Sequence, residues 1–144
     1  MKKIRLFLES RKDYGVIFLR LIVGWRLIAG TWPYASQLKP MSEIKEYFIQ
    51  IHLPVPLICA YLSVYAQFIC GILYILGLWL RPAAFIMIIN FTVAVIAVHL
   101  LDTIEKSFAA WVIMAASLLF LMNGAGKISI DDALKGQAGI SGSR

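Results

Sequence analysis

The stretch of sequence that decides the fold is YGVIFLRLIVGWRLIAGTWPYASQL, residues 14–38. A helix needs roughly 20 mostly apolar residues to cross a bilayer, and this stretch is long enough, yet it carries Arg20 and Arg26 well inside the apolar run. A charge at the bilayer centre costs about 2.5–3.5 kcal/mol, so such a side chain turns toward protein, water or a ligand. Both arginines therefore need neighbours.

The composition of the whole chain indicates a membrane protein. Of its 144 residues 60% are hydrophobic and 15% charged, which is more apolar material than a soluble domain of this size can bury. Apolar runs predict an all-α membrane protein, a bundle of four transmembrane helices. The predicted spans are residues 14–35, 53–80, 82–101 and 107–125. Arg81 and Pro82 are expected to form the tight turn between spans two and three.

The basic residues predict the orientation of the bundle. Cytoplasmic flanks of membrane proteins are enriched in lysine and arginine. Nine basic residues lie on the side of the two termini and three on the other, so both termini are predicted to be cytoplasmic, in a multi-pass protein of the cell's inner (plasma) membrane. The first group is Lys2, Lys3, Arg5, Arg11, Lys12, Arg81, Lys127, Lys135 and Arg144; the second is Lys39, Lys45 and Lys106. Because these charges flank spans and form no aromatic-interleaved patch, the net charge of +6 predicts a lipid partner and no nucleic acid.

Three regions follow from these patterns. Residues 1–13 are a basic cytoplasmic segment, residues 14–125 the four-helix membrane domain, and residues 126–144 a cytoplasmic tail with a short helix and then a flexible end. Between spans one and two, apolar residues recur at helical spacing and predict an amphipathic helix on the outer surface of the membrane. Its apolar face holds Met41, Ile44, Phe48 and Ile51.

Small and polar residues form a stripe along span two that is expected to face the bundle interior. Its members are Cys59, Ser63, Gln67, Cys70, Tyr74 and Gly77. In span one, Gly24 and Gly30 each follow an arginine by four positions and leave a notch for another helix or a ligand. The first three residues of Gly124-Ala125-Gly126-Lys127 predict the end of the fourth helix, since glycine adopts the left-handed conformation at helix ends.

Depth arithmetic predicts a candidate ligand site. At 1.5 Å per residue, Arg20 lies about 9 Å and Arg26 about 18 Å from the cytoplasmic boundary, against about 12 Å for Asn90 and about 20 Å for Gln67. We therefore pair Arg20 with Asn90 and Arg26 with Gln67. Such polar groups either hold helices together or, at Arg26, bind an anionic or hydrogen-bonding ligand such as a quinone carbonyl or a small oxyanion.

Other sites are less well supported by the sequence. A polar cluster is expected at the outer rim of the bundle, formed by His52, His99, Asp102 and Glu105. These residues lack the spacing of a metal site, and none of the common catalytic motifs is present. We therefore expect no metal, no catalytic residue and no independent enzymatic turnover.

Three segments resemble the DoxX family of small four-helix membrane proteins. They are Leu19-Arg20-Leu21 with Gly24 and Gly30; Gln67-Phe68-Ile69-Cys70-Gly71 through Gly77 to Arg81; and the closing segment, with Gly124, Gly126, Lys127, Ser129 and Asp131. Gln67 stands where the family often has glutamate. The resemblance implies a four-helix bundle linked to redox enzymes, as in a thiosulfate:quinone oxidoreductase subunit and the membrane partners of oxidative-stress enzymes.

Three functions are compatible with these features. The first is an accessory or anchoring subunit for redox proteins, with a quinone-type pocket near Arg26 and Gln67; any activity would be that of a membrane oxidoreductase subunit. The second is binding or transport of a small anion or small molecule along the arginine face. The third is a structural scaffold, and a homo-oligomer is compatible with each.

Overall fold

The fold consists of five α-helices. The computed structural model describes residues 2–50, 52–101, 104–124, 126 and 129–131, with side chains at all of these except 2–13, 47, 97–101 and 104–107. The helices are α1 (Lys2–Ala35), α2 (Ser42–Gln50), α3 (Pro56–Leu76), α4 (Leu80–Leu101) and α5 (Ile104–Asn123). The described residues contain no strand, so the predicted all-α class is confirmed. The basic segment before span one belongs to α1, which is continuous from Lys2.

α1 and α3 run antiparallel and touch at two glycines. A Cβ added to Gly24 would lie 2.7 Å from the carbonyl oxygen of Gly71, and one added to Gly71 would lie 3.0 Å from the carbonyl oxygen of Gly24. Further along α1, the ring of Trp32 lies 6.1 Å from that of Phe68, an earlier residue of α3. The notch predicted at Gly24 is therefore filled by another helix, at the close distance that small residues permit.

α4 packs along α5, and Tyr74 of α3 connects this pair to the rest of the bundle. The Tyr74 ring meets Phe120 edge-on with centroids 5.0 Å apart, and its hydroxyl lies 2.8 Å from Ser117 Oγ. Because Ser117 donates its own proton to the Ile113 carbonyl at 2.8 Å, the tyrosine is the donor of the pair. Tyr74, Phe120 and Ser117 are fully buried. The surrounding apolar core includes Val23, Leu27, Leu80, Met87 and Phe91.

α3 is shorter than the predicted span of 53–80. It begins at Pro56, since proline suits the first helical turn, where no intrahelical N–H bond is lost. It ends at Leu76, because Gly77 adopts a left-handed conformation with φ of 66°. The Gly77 amide and the amide of Leu78 both reach back to the Leu73 carbonyl, at 2.8 and 3.1 Å. This bonding closes the helix with a glycine-based cap.

The turn between α3 and α4 is formed by residues 77–79. The prediction of a turn at Arg81 and Pro82 is wrong, because α4 already begins at Leu80 and both residues lie in its first turn. A proline there removes no hydrogen bond of the helix. Glycine, with its access to positive φ, makes the turn instead.

The amphipathic helix predicted between the first two spans is confirmed as α2. Phe48 is buried and Ile44 half-buried, whereas Glu46 and Gln50 are exposed. α2 packs against α3, and the Tyr34 hydroxyl at the end of α1 donates to a Glu43 carboxylate oxygen at 3.2 Å. Its position relative to a membrane surface stays a prediction.

The outside of the bundle is apolar as well as its core. Phe18, Trp25, Leu62, Phe108 and Met122 are each about two-thirds exposed or more, which suits a lipid surrounding better than water. Two helical segments are long and apolar enough to cross a membrane, Tyr14–Ala35 and Pro56–Leu76, and two shorter apolar segments, Leu80–Ile96 and Phe108–Asn123, accompany them. Spans at 82–101 and 107–125 remain predictions.

Candidate functional site

Arg20 lies inside the bundle, against the last turn of α3. Its side chain is 3% exposed. Nε donates to the carbonyl of Tyr74 at 3.0 Å, and Nη2 donates to the carbonyl of Ile75 at 3.3 Å. The last carbonyls of a helix lack partners within it and carry partial negative charge. Arg20 therefore caps α3 from a neighbouring helix.

Asp131 binds the other side of the same turn. Its carboxylate accepts hydrogen bonds from the backbone amides of Trp79 at 2.9 Å and Leu80 at 3.3 Å, the amides where α4 begins. Its own amide donates to the Gly77 carbonyl at 3.2 Å. A carboxylate is stabilised at a helix N-terminus, and this one also attracts Arg20 electrostatically. We call Arg20, Gly77 and Asp131 the Arg20–Asp131 cluster.

Gly77 is required in this cluster for two independent reasons. Its φ of 66° is one that side-chain-bearing residues rarely adopt. A Cβ on Gly77 would also overlap the guanidinium of Arg20. Only glycine lets the turn close and lets the arginine reach the carbonyls beyond it.

The three segments that resemble the DoxX family meet at the Arg20–Asp131 cluster, each contributing one of its residues. In the closing segment, Gly124 and Gly126 have positive φ, 72° and 76°. The predicted helix end is thus confirmed, with α5 ending at Asn123. Ser129 Oγ donates to the Gly126 carbonyl at 2.8 Å. Lys127 lies outside the described residues.

Gln67 and Asn90 form a second polar cluster, between α3 and α4. Ser63 Oγ donates to Asn90 Oδ1 at 2.8 Å and accepts from Gln67 Nε2 at 3.1 Å. The predicted pairing of Arg20 with Asn90 is wrong. Arg20 binds α3 at Tyr74, whereas Asn90 binds it at Ser63, about 16 Å away along the helix axis. Ser63 belongs to the predicted stripe, and its spacing of four from Gln67 was the signal for this contact.

We expect this second cluster to contribute little to stability. In a double-mutant cycle of Ser63→Ala and Asn90→Ala, the coupling energy should be about 0.6 kcal/mol and no more than about 1.7, the range for hydrogen bonds between membrane helices. Unfolding of the reconstituted chain in sodium dodecyl sulfate measures it. Thr31→Ala is the control, since Thr31 bonds the Leu27 and Ile28 carbonyls of its own helix. A coupling above about 3 kcal/mol would contradict a role limited to helix association.

Arg26 lies on the opposite face of α1 from α3. Gly24, Leu27 and Thr31, which flank it in sequence, are buried, whereas Arg26 is exposed. Its guanidinium lies along Gly30, with Nη1 2.8 Å from where a Cβ would stand. We find no hydrogen bond or ion pair to Arg26 in the part of the chain that the structure describes. The predicted pairing with Gln67 is therefore wrong, because Arg26 faces away from α3, the helix that carries Gln67.

The predicted outer-rim cluster is described only at His52. That residue is exposed, has a φ of 55°, and donates its amide to the Ile49 carbonyl at 3.0 Å in the turn after α2. Asp102 and the side chains of His99 and Glu105 lie outside the described residues. Whether these four groups meet stays a prediction.

The chemistry available to these sites is hydrogen bonding and charge. Cys59 and Cys70 are both free thiols. Within the described residues, no group of three or more histidine, cysteine, aspartate or glutamate side chains could hold a metal ion. The sites described here stabilise helix ends and helix contacts, with Arg26 directed away from them.

Helices of this length and composition, with an apolar exterior and polar groups bonded between them, define a helical membrane protein. The DoxX family profile matches residues 15–100, more than half of the chain, and the chain therefore belongs to the DoxX family, a family of membrane proteins. The match includes Arg20 and Gly77 and ends before the closing segment, whose likeness to the family stays a prediction. No curated protein and no solved structure has significant similarity to the chain.

Proposed function

We propose that this chain is a four-span protein of the cell's inner membrane, with both termini in the cytoplasm, that acts as an accessory or anchoring subunit for redox proteins. Membership of the DoxX family supports the redox link. The four apolar helical segments and the excess of basic residues on the side of the termini support the topology.

The observation that carries the proposal is the direction of Arg26. Of the other polar side chains described within the bundle, Arg20, Ser63 and Ser117 bond to neighbouring helices of the same chain, and Thr31 bonds within its own helix. Arg26, near the middle of its span, is directed outward. An intramembrane charge is costly unless something shelters it, so an outward charge is expected of a subunit that is completed by another molecule.

The two other functions suggested by the sequence have less support. Transport along an arginine face would need the arginines on one side of α1, whereas Arg20 turns inward and Arg26 outward. A quinone-type pocket lined by Arg26 and Gln67 would need both residues on one side of the α1–α3 contact. A purely structural role fits Arg20, which caps a helix, but leaves Arg26 without explanation.

Purification from the native membrane tests the proposal. We expect the tagged full-length chain, extracted in a mild detergent, to bring down a redox protein in stoichiometric amount. An unrelated four-helix membrane protein with the same tag is the control. Recovery of the chain alone, even after chemical cross-linking in intact membranes, would contradict an accessory role. Uptake of small anions by proteoliposomes holding only this chain would favour transport instead.

A further inference from the structure

Arg26 marks a surface of α1 that a lone bundle leaves exposed at mid-membrane depth. Within Tyr14–Ala35, the residue lies about 14 Å from the Ala35 end and about 9 Å along the axis from Arg20, which bonds the last turn of α3 at the other end of the bundle. At that depth the cost for a guanidinium of facing acyl chains is substantial. Among the described residues, we find no hydrogen bond or ion pair to it.

The surface around Arg26 is shaped for another helix. Ile22 and Trp25, before it, are 50% and 68% exposed. Ala29 and Gly30, after it, are also exposed, and a Cβ on Gly30 would meet nothing within 4 Å except the Arg26 side chain. Small residues beside a polar one allow a second helix to approach closely and bond to the polar group. We call Ile22, Trp25, Arg26, Ala29 and Gly30 the Arg26 surface.

Charge decides what covers the Arg26 surface. A second copy docked by two-fold symmetry would bring one Arg26 against the other, because such an interface joins the same patch on both subunits, and two like charges in a low dielectric repel strongly. Acyl chains offer no acceptor. A carboxylate offers both an opposite charge and the two oxygens that match the fork of a guanidinium.

We propose that the Arg26 surface binds a transmembrane helix of a different protein, one that carries an aspartate or glutamate at mid-membrane depth. This inference rests on the proposed accessory function and names the chemistry of the partner. The carboxylate accepts hydrogen bonds from the Arg26 guanidinium, which lies along Gly30, and the partner helix packs beside Ala29. Inside the lipid bilayer, apolar contacts give little selectivity between helices. The charge pair is what lets the two proteins recognise each other there.

Site-specific photo-crosslinking in native membranes tests this surface. A photoreactive residue replaces Ala29 in the full-length chain, and the matched control places it at Ile89, 52% exposed on α4. We expect a crosslink from position 29, mapped by mass spectrometry to a membrane segment of another protein that contains Asp or Glu, and none to that segment from position 89. Arg26→Ala should lower the crosslink yield about tenfold, because one charge-assisted hydrogen bond is lost. Arg26→Lys should restore part of the yield.

The remaining outcomes overturn the inference. A crosslink to another copy of this chain would mean that a homo-oligomer covers the surface, and a crosslink to lipid alone would mean that nothing does. An unchanged crosslink yield in Arg26→Ala would show that the charge of Arg26 does not contribute to binding of the partner. If a redox protein still copurifies while the crosslink fails, the accessory function stands and only the Arg26 surface is wrong. If the wild type brings down no partner, the accessory function itself fails.

Discussion

Replacing Arg20 with alanine should lower the free energy of unfolding by about 2–4 kcal/mol, whereas Arg26→Ala should change it by less than about 1 kcal/mol. The two arginines lie in the same helix, six positions apart, and carry the same charge. They differ in surroundings, since Arg20 is 3% exposed and Arg26 lies on the outer face. Each variant is therefore the matched control of the other.

The large effect at Arg20 follows from what alanine would leave behind. The carbonyls of Tyr74 and Ile75 would lose the donors that Arg20 supplies, and among the described residues the Tyr74 carbonyl would keep only the bond from the Gly77 amide at 3.3 Å. Asp131 would keep its bonds to the start of α4 but lose the nearby positive charge. A hydrogen bond from a charged donor contributes about 1.5–3 kcal/mol, and a buried carbonyl that loses its donor stays desolvated.

Reversible unfolding in mixed micelles measures both variants on the same scale. Tryptophan fluorescence reports the transition, since Trp32 of α1 packs against Phe68 of α3. Arg20→Lys should recover part of the stability, because a lysine retains the charge but not the fork that reaches two carbonyls. Equal losses for Arg20→Ala and Arg26→Ala would show that the Arg20–Asp131 cluster does not hold the turn together.

Features that depend on local periodicity could be predicted from the sequence. The stripe on α3 is buried or half-buried at each of its positions, from Cys59 to Gly77, because residues three and four apart share a helix face whatever the tertiary fold. The helix end at Gly124 follows from the freedom of glycine at positive φ, whereas the predicted span of 53–80 runs past the true end of α3 at Leu76. α2 follows from its alternating polar and apolar faces.

The partners of the two arginines could not be predicted in the same way. Depth counted from assumed span ends depends on where each helix begins, and contact also needs the rotation of each helix about its axis and the choice of neighbouring helices. This count gives Arg20 and Asn90 similar depths, yet they contact α3 about 16 Å apart along its axis. Arg26 faces away from α3, the helix that carries Gln67. The contact of Asp131 with the Gly77 turn joins segments far apart in sequence, and no periodic pattern connects them.

The turn at residues 77–79, the Gly77 turn, explains why Arg20 and Asp131 meet although they share no sequence periodicity. It holds α3 to α4, and both of its sides are bonded by side chains from elsewhere, Arg20 from α1 and Asp131 from the segment after α5. Arg20 thereby connects α1, and Asp131 the segment after α5, to the turn between α3 and α4. Arg26 has no part in this arrangement, which leaves its charge available to another molecule.

The second large effect is expected at the contact between α1 and α3. Gly24→Val should lower the free energy of unfolding by about 3 kcal/mol, at the upper end for overpacking, because the added atoms would meet backbone that cannot move aside. A Cβ at Gly24 already stands 2.7 Å from the Gly71 carbonyl oxygen and 3.2 Å from the Ile75 amide nitrogen. The two helices would have to separate along the contact, and van der Waals packing between membrane helices falls steeply with distance.

Gly15→Val is the control for Gly24→Val, because it changes the intrinsic helix preference in the same way but adds no steric contact. Gly15 lies in the same helix, and a Cβ there would meet nothing within 4 Å, so we expect a change within about 0.5 kcal/mol. Gly71→Val should resemble Gly24→Val, and the double variant should cost clearly less than the sum, because the first valine already parts the helices and neighbouring sites do not act independently. Additive losses, or equal losses at Gly15 and Gly24, would mean that the bundle does not depend on the close approach of α1 and α3 at these glycines.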